Sequence, residues 1–348
     1  MRIVDLRSDT VTIPPRKMLE TILEAELGDD VYREDPTVIK LENMAAEIMG
    51  KEAALLVTSG TQANLISVMA HTKRGDEVIL EYNSHIYNFE VGGLAAVAGV
   101  LPRPIRGVMG FMNPADIEAA IRPKNIHCPE TSLLLVENTH NRAGGTIITP
   151  KQMEAMCNVA RKHGLKVHVD GARIFNAAVA LNVKPEKLVE DADSVSFCLS
   201  KGLACPIGSL ICGSMEFIEK ARKIRKMLGG GMRQAGVIAA PGIYALEHMI
   251  DRLKEDHENA KILAYGLAKI DEVEIDLKTV QTNIVIFSLK SLKAEDVIAA
   301  LQSRGVKALA IEPRKIRMVT HFGITRDDVE YALNIFREVV EILKDKQY

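Results

Sequence analysis

The sequence predicts an α/β protein in which a large domain with a largely parallel sheet precedes a small α+β domain. Up to residue 229, short apolar segments alternate with helical patterns, as in a parallel sheet whose strands are connected by helices. Beyond the glycines at 229–231, the pattern changes to two long helices, followed by short β-rich segments and two further helices. The strands predicted in the first part are 53–57, 77–80, 133–137, 166–169 and 194–199.

The domain boundaries follow from the same changes in pattern. We expect an N-terminal arm at residues 1–14, a large domain at 15–249 and a small C-terminal domain at 250–348. The arm mixes charged and β-branched residues ahead of Pro14 and Pro15, which favours an extended segment over a core strand.

Apolar spacing and end signals define the helices. The spacing predicts a helix at 15–27, and a second at 37–49 that Asp35 caps and Gly50 ends. The elements predicted beyond the glycines are helices 235–249, 253–267, 294–303 and 326–343, and strands 283–289 and 316–320.

Composition excludes several classes of function. The 348 residues carry a formal net charge of −2 at pH 7, which gives no general attraction to nucleic acid or acidic lipid. No stretch approaches the ~20 apolar residues of a membrane-spanning helix, and we expect a cytoplasmic protein. Five cysteines without a CxxC pair indicate neither a disulfide framework nor a zinc site, and we expect no bound metal. A small-molecule substrate is favoured.

Lys201 stands in an otherwise uncharged run, between a predicted strand and a turn-forming segment. Burial lowers the pKa of a lysine toward that of a nucleophilic neutral amine, which suits a Schiff base. The alternative is a lysine whose stem packs while its ammonium reaches water.

Asp170 makes the functional interpretation stronger. It follows a short apolar strand and, like Lys201, lies near the end of a strand, where ligands of parallel sheets bind. A pyridoxal phosphate (PLP) site needs this pair, because an amine holds the aldehyde and a carboxylate keeps the pyridine nitrogen protonated. A helix-capping aspartate beside an unrelated lysine is the alternative. Gly60 and Thr61, after Ser59, lie at a predicted helix N-terminus that suits either a phosphate or an ordinary cap.

Eight motifs stand along the chain in one order: DLRSDTVT, GDDVY, SGTQAN, NSHI, ENTHN, HVDGAR, SFCLSKGL and GGGMRQAG. In this combination the chain resembles the threonine aldolases over nearly its whole length. The resemblance implies a fold-type-I PLP-dependent transferase fold, similar to aspartate aminotransferase, with a mixed, mostly parallel sheet. It also implies a homotetramer built as a dimer of dimers. Arg33 departs from the motif, which usually has glycine at this position.

The resemblance assigns roles to the matching residues. It implies that Lys201 holds the cofactor, that Asp170 contacts the pyridine nitrogen and that His85 stacks on the ring. The remaining positions implied are Gly60 and Thr61 for the phosphate, Arg233 for the phosphate of a neighbouring subunit's cofactor, Ser8, Arg173 and Arg317 for the substrate carboxylate, and His127 and, from a partner subunit, Tyr32 for the side-chain pocket.

The expected reaction is retro-aldol cleavage of L-threonine or L-allo-threonine to glycine and acetaldehyde. His85, His127 or a water held between them are alternatives for the base. Another fold-type-I PLP activity, such as an aminotransferase or a β-eliminating lyase, is the alternative function. A hydride-transferring enzyme is disfavoured, because the first strand–turn–helix carries SGTQAN instead of G-x-G-x-x-G.

Overall fold

The computed structural model describes residues 2–345; Met1 and residues 346–348, at the ends of the predicted arm and small domain, lie outside the described residues. The strands of this part are β1 (Val4–Asp5), β2 (Ala53–Val57), β3 (Glu77–Glu81), β4 (Leu101–Ile105), β5 (Thr131–Glu137), β6 (Lys166–Asp170), β7 (Ser194–Cys198), β8 (Ser209–Gly213), β9 (Val273–Glu274), β10 (Ile284–Leu289), β11 (Val306–Lys307), β12 (Leu309–Glu312) and β13 (Lys315–Val319).

The α-helices are α1 (Arg16–Glu20), α2 (Pro36–Met49), α3 (Gly60–His71), α4 (His85–Asn88), α5 (Pro114–Ala120), α6 (Pro150–Lys162), α7 (Ile174–Leu181), α8 (Met215–Met227), α9 (Gly236–His248), α10 (Leu253–Leu267), α11 (Ala294–Ser303) and α12 (Arg326–Asp345). Short 3-10 turns lie at Asp9–Val11, Pro185–Leu188 and Leu277–Thr279, and a π-helical turn at Leu94–Ala98. Within residues 2–345, no helix is both long and apolar enough to cross a bilayer.

A seven-stranded sheet forms the centre of the molecule. Its strand order is β2-β8-β7-β6-β5-β3-β4, and β8 alone runs antiparallel to its neighbours, so the sheet is mixed but mostly parallel. Both faces are covered, because residues that alternate along β2 enter different cores. Leu56 packs in a cluster with α2, α6, α7 and α9, whereas Leu55 and Val57 pack with α3 and α8.

The C-terminal part has its own antiparallel sheet, in the order β12-β13-β10-β9. Helices α10, α11 and α12 pack on it around a separate cluster that includes Phe287 and Phe336. The first residues differ from a free extended arm: β1 pairs in parallel with β11, and Val4 and Leu6 are fully buried in this cluster. Because both side chains are apolar, pairing with β11 removes them from water.

The predicted helix at 15–27 is wrong in length. Helix α1 ends at Glu20, and a turn follows in which the Thr21 hydroxyl donates to the Met18 carbonyl at 2.7 Å. A threonine bonded to the preceding turn competes with the helical ladder. Tertiary packing does not stabilise a longer helix either. Leu23 is 89% exposed, so the apolar face predicted for this segment has no core to pack against.

Candidate active site

The carboxyl ends of the central parallel strands meet at one edge of the large sheet and form the floor of the candidate site. In the register of the sheet, Asp170 at the end of β6 lies opposite Glu137 of β5 and Ser196 of β7. Lys201 follows the end of β7 by three residues, in the turn that leads toward β8. Among residues 2–345, no salt bridge or side-chain hydrogen bond engages the Lys201 amine in this structure.

Asp170 is buried and held by two donors. Its Oδ2 accepts from Asn64 Nδ2 at 2.8 Å, and its Oδ1 accepts from the Ala172 backbone N–H at 3.0 Å. Burial opposes its ionisation, but the nearby positive charges of Lys201 and His85 hold the Asp170 pKa below its ordinary value. The result is a buried carboxylate whose ionised form is favoured by the positive charges of Lys201 and His85.

His85 begins α4 and is fixed from both its backbone and its ring. Its N–H donates to Glu137 Oε2 at 2.6 Å, and its Nδ1 lies 2.9 Å from Glu90 Oε1. The hydrogen bond to Glu90 is the main reason that the His85 pKa is raised, with burial opposing and Asp170 reinforcing the shift. The Phe89 ring lies beside the imidazole, with the two centroids 5.6 Å apart.

Ligand atoms of His85, Glu90 and Asp170 all lie within 4.8 Å of one another, a spacing that would also suit a metal ion. Hydrogen bonds already engage this cluster, because Asn64 Nδ2 donates to Glu90 Oε1 as well as to Asp170. We therefore interpret the three residues as a hydrogen-bonded group rather than a metal centre.

The N-terminus of α3 faces the end of β7. Ser59 caps it by accepting from the Gln62 N–H at 3.1 Å, which leaves the N–H groups of Gly60 and Thr61 without a protein partner among residues 2–345. A side chain at Gly60 would place its Cβ 2.8 Å from Cys198 Sγ. Only glycine lets the helix start lie this close to the strand that leads to Lys201.

Two arginines from different parts of the chain lie together beside this floor. Arg173 is buried and forms a bidentate pair with Asp9, with Nε and Nη2 each 2.7 Å from a carboxylate oxygen. Arg317 donates to Asn141 Oδ1 at 3.0 Å and to the Arg7 carbonyl at 3.2 Å, and its buried Nε has no partner among the described residues. Burial, reinforced by the positive charge of Arg173, lowers the Arg317 pKa to about 10.

The consequence is a local excess of positive charge. Asp9 neutralises Arg173, but no carboxylate within residues 2–345 forms an ion pair with Arg317. Planar guanidinium groups bind carboxylates with paired hydrogen bonds, so this part of the site suits the carboxylate of a small ligand. Ser8, which precedes Asp9, is half-buried here and caps the short 3-10 turn.

Three of the predicted residues have no polar contact with this cluster among the described residues. Tyr32 and Arg233 are exposed and are joined through Asp29, which accepts from the Tyr32 N–H at 3.1 Å and from Arg233 Nη1 at 2.9 Å. His127 is exposed, and its N–H donates to Asn125. Hydrogen bonds and ion pairs in the described chain connect none of the three to Lys201 or Asp170.

Comparison with known proteins places this geometry in a family. A family model described as beta-eliminating lyase matches residues 5–290. The chain is 45% identical to Low-specificity L-threonine aldolase 1 of Arabidopsis thaliana over 352 residues, which cover 99% of this chain and 98% of that protein. The chain belongs to the threonine aldolase family.

Solved structures agree in fold. The Leishmania major threonine aldolase superposes on this family member with a TM-score of 0.84 at 19% identity, covering 97% of this chain and 99% of that one. A structure of SPT with a PLP internal aldimine has a TM-score of 0.78 at 19% identity, covering 98% and 88% of the two chains. The predicted family, the fold-type-I class and a lyase are confirmed.

Sequence reasoning missed several residues of the site. Asp9, Asn64, Glu137 and Asn141 all lie inside motifs used for the resemblance, but no role was assigned to them. No feature of the sequence pointed to Glu90, because a single glutamate after a short helix is common.

Proposed function

We propose that this chain is a low-specificity L-threonine aldolase, which cleaves L-threonine and L-allo-threonine to glycine and acetaldehyde with PLP as cofactor. The observation that carries the proposal is the buried Asp170, whose ionised form the Lys201 charge favours, with two arginines that suit a carboxylate in the same site. The substrate follows from the full-length similarity to a protein of that name.

The residues present fit PLP. Lys201 would hold the aldehyde carbon, Asp170 would contact the pyridine nitrogen, and the open N–H groups of Gly60 and Thr61 would bind the phosphate. Glycine at position 60 is required because an added Cβ would collide with Cys198 Sγ, so this helix start lies against the strand that leads to Lys201. His85 would stack on the ring. When bound, PLP supplies a protonated ring that accepts the electron pair released at the substrate Cα.

The protein's part in the reaction is to hold the amino acid and move protons. Arg173, Arg317 and Ser8 would bind the carboxylate and fix the rotation about the Cα–N bond, so that the Cα–Cβ bond stands perpendicular to the ring. A base removes the proton of the β-hydroxyl, the C–O bond becomes the carbonyl of acetaldehyde, and the Cα–Cβ bond breaks. Protonation of Cα then completes glycine.

The base lies among His85, His127 and a water between them. His85 is the candidate that the single chain places beside Asp170. His127 would have to reach the site from another subunit, because it is exposed and has no hydrogen bond to this cluster in its own chain. Its position supports a role for a second subunit, together with Tyr32 and Arg233.

We further propose a homotetramer, a dimer of dimers with shared sites, that works in the cytoplasm. Exposed apolar side chains support an oligomer, since large exposed apolar surface in soluble proteins marks contact sites; they include Ile13, Leu23, Leu27 and Tyr32. All five cysteines are unpaired, as is usual in the reducing cytoplasm. Light scattering of the purified protein measures the oligomer directly.

The test is aldehyde release. Purified protein with PLP should release acetaldehyde and glycine from L-threonine and L-allo-threonine. Lys201→Ala should lose this activity and the near-visible absorbance band of lysine-bound PLP, whereas Lys187→Ala, a surface lysine paired with Glu190, should retain both. Transfer of the amino group to a 2-oxo acid faster than aldehyde release would instead favour an aminotransferase.

A further inference from the structure

The buried side-chain amide of Asn64 connects Asp170 to Glu90, the residue that is hydrogen-bonded to His85. Asn64 Nδ2 donates one hydrogen bond to Asp170 Oδ2 at 2.8 Å and another to Glu90 Oε1 at 2.9 Å. Its Oδ1 accepts from the Ser196 hydroxyl at 3.1 Å, so each side of the amide has a complementary partner. These partners fix the orientation of the amide, because two carboxylates need the NH₂ group.

Glu90 in turn fixes His85. A carboxylate oxygen 2.9 Å from Nδ1 accepts a hydrogen bond from it, so neutral His85 carries its hydrogen on Nδ1 and presents an unprotonated Nε2. Glu90 is 6% exposed and lies outside the motifs, yet its Oε1 is the acceptor shared by His85 and Asn64. A path of two hydrogen-bonded residues therefore connects the imidazole to Asp170.

We propose that Glu90 and Asn64 are positioning residues: Glu90 sets the ring orientation and tautomer of His85, and Asn64 couples this pair to the carboxylate at the cofactor's pyridine nitrogen. The proposal rests on the proposed function for its effect on catalysis. The hydrogen bonds among His85, Glu90 and Asn64 are present in the protein without PLP, so their effect on His85 can be tested in the PLP-free protein.

The charged groups around His85 determine the direction of the pH effect. Glu90 bonds the ring, Asp170 approaches from the end of β6, and Glu137 of β5 accepts the His85 N–H. All three are acidic and favour the protonated imidazole. Replacing Glu90 with neutral glutamine removes one of these charges, so the His85 pKa falls, while the glutamine oxygen can still accept from Nδ1.

Three variants separate charge, orientation and coupling. In Glu90→Gln, the acidic limb of the pH profile of kcat/KM should move to lower pH by about one unit. In Glu90→Ala, which removes the acceptor, kcat should fall about tenfold or more with little change in KM. In Asn64→Ala, Asp170 loses a donor, and the dissociation constant for PLP should rise about tenfold.

Glu272→Gln is the matched control. Glu272 is likewise a buried glutamate, but it accepts from Ser291 and Leu292 in the C-terminal part, away from the site. It should leave the acidic limb and the PLP affinity unchanged. Melting temperatures of the PLP-free proteins show whether any variant acts merely by unfolding the chain.

A measurement that does not depend on catalysis tests the roles of Glu90 and Asn64 separately from the aldolase activity. In protein with isotopically labelled histidine, the His85 ring, assigned by its loss in His85→Gln, should titrate at lower pH in Glu90→Gln than in the wild type. An unchanged titration in folded Glu90→Gln would overturn the role of Glu90, and unchanged PLP affinity in folded Asn64→Ala would overturn that of Asn64. Absence of aldehyde release from the wild type would overturn the proposed function instead.

Discussion

Asp9 combines a structural and a functional role in one buried carboxylate. It pairs with Arg173 through two hydrogen bonds and accepts a third from Asn283 at 3.3 Å. Burial opposes its ionisation, but the Arg173 charge and hydrogen bonds outweigh it and hold the Asp9 pKa below the ordinary value. Asp9 therefore fixes the orientation of Arg173 and leaves its Nη1 without a hydrogen-bond partner among residues 2–345.

Asp9→Asn should destabilise the protein by about 3–5 kcal/mol at pH 7, because a buried arginine loses its counter-charge. A depressed folded pKa gives stability that is present above the unfolded value of about 3.9 and is lost as the pH falls through the folded value. The difference between wild type and variant should therefore narrow below about pH 4. Urea unfolding across this range measures it.

Asp191→Asn is the matched control for this substitution. The Asp191–Arg161 pair lies at the surface, with side chains 27% and 61% exposed, and its loss should cost about 1 kcal/mol or less. A loss of stability in Asp9→Asn no greater than in this control would contradict the role of Asp9.

Site residues that stand out by their type and position in the sequence could be predicted. Residues that act only through contacts with distant parts of the chain could not. Lys201 is conspicuous because a lysine in an uncharged run is unusual, and Asp170 because it ends a strand. Glu90 becomes important only when α3 and β6 bring Asn64 and Asp170 beside it. Arg173 was predicted as a ligand group, but its orientation depends on Asp9, 164 residues away.

At the scale of elements, apolar spacing and end signals predicted most helices, including 253–267 and 294–303, and the segment 15–27 is the exception. Helix α2 begins after Asp35 and ends at Gly50, which adopts φ 61°, as the cap residues predict. The leucines of 15–27 have the spacing of a helix but no core to pack against, and the helix stops at Glu20. Cap chemistry is local and visible in the sequence, whereas the surface that an apolar face meets is not.

Asp35→Ala should destabilise the fold by about 2–4 kcal/mol. Besides capping α2 through the Val38 N–H, the buried carboxylate accepts from Gly28 and Gly236, so its loss leaves buried donors unpaired. Asn113→Ala, which removes the exposed cap of α5, should cost about 1 kcal/mol. Equal losses for both variants in urea unfolding would show that Asp35 acts as a cap alone.

At the scale of the whole molecule, the site residues fall into two groups that no hydrogen bond or ion pair connects within residues 2–345. The arm, the large sheet and the C-terminal sheet bring Lys201, Asp170, Arg173 and Arg317 together within one chain. Asp29 holds Tyr32 and Arg233 together elsewhere, at the surface. The family resemblance implies that Arg233 and Tyr32 serve a neighbouring subunit's site, whereas the residues themselves carry no sign of which chain completes a site.

Mixing two inactive variants tests whether a second chain completes the site. If Arg233 serves the partner's cofactor, Lys201→Ala and Arg233→Ala each damage every site of their own homodimer. A hybrid dimer, however, has one site with both lesions and one with none. Random pairing of equal pools makes half the dimers hybrids, so co-expression should restore about a quarter of wild-type activity.

Lys201→Ala mixed with Asp170→Ala is the control for this experiment. Both residues lie in the same chain's cluster, so every site of that hybrid keeps one lesion and activity should stay near that of the parents. Recovery in the first mixture and not in the second requires Arg233 to act across an interface. Equal activities in the two mixtures would place Arg233 in its own chain's site, despite its exposed position beside Asp29.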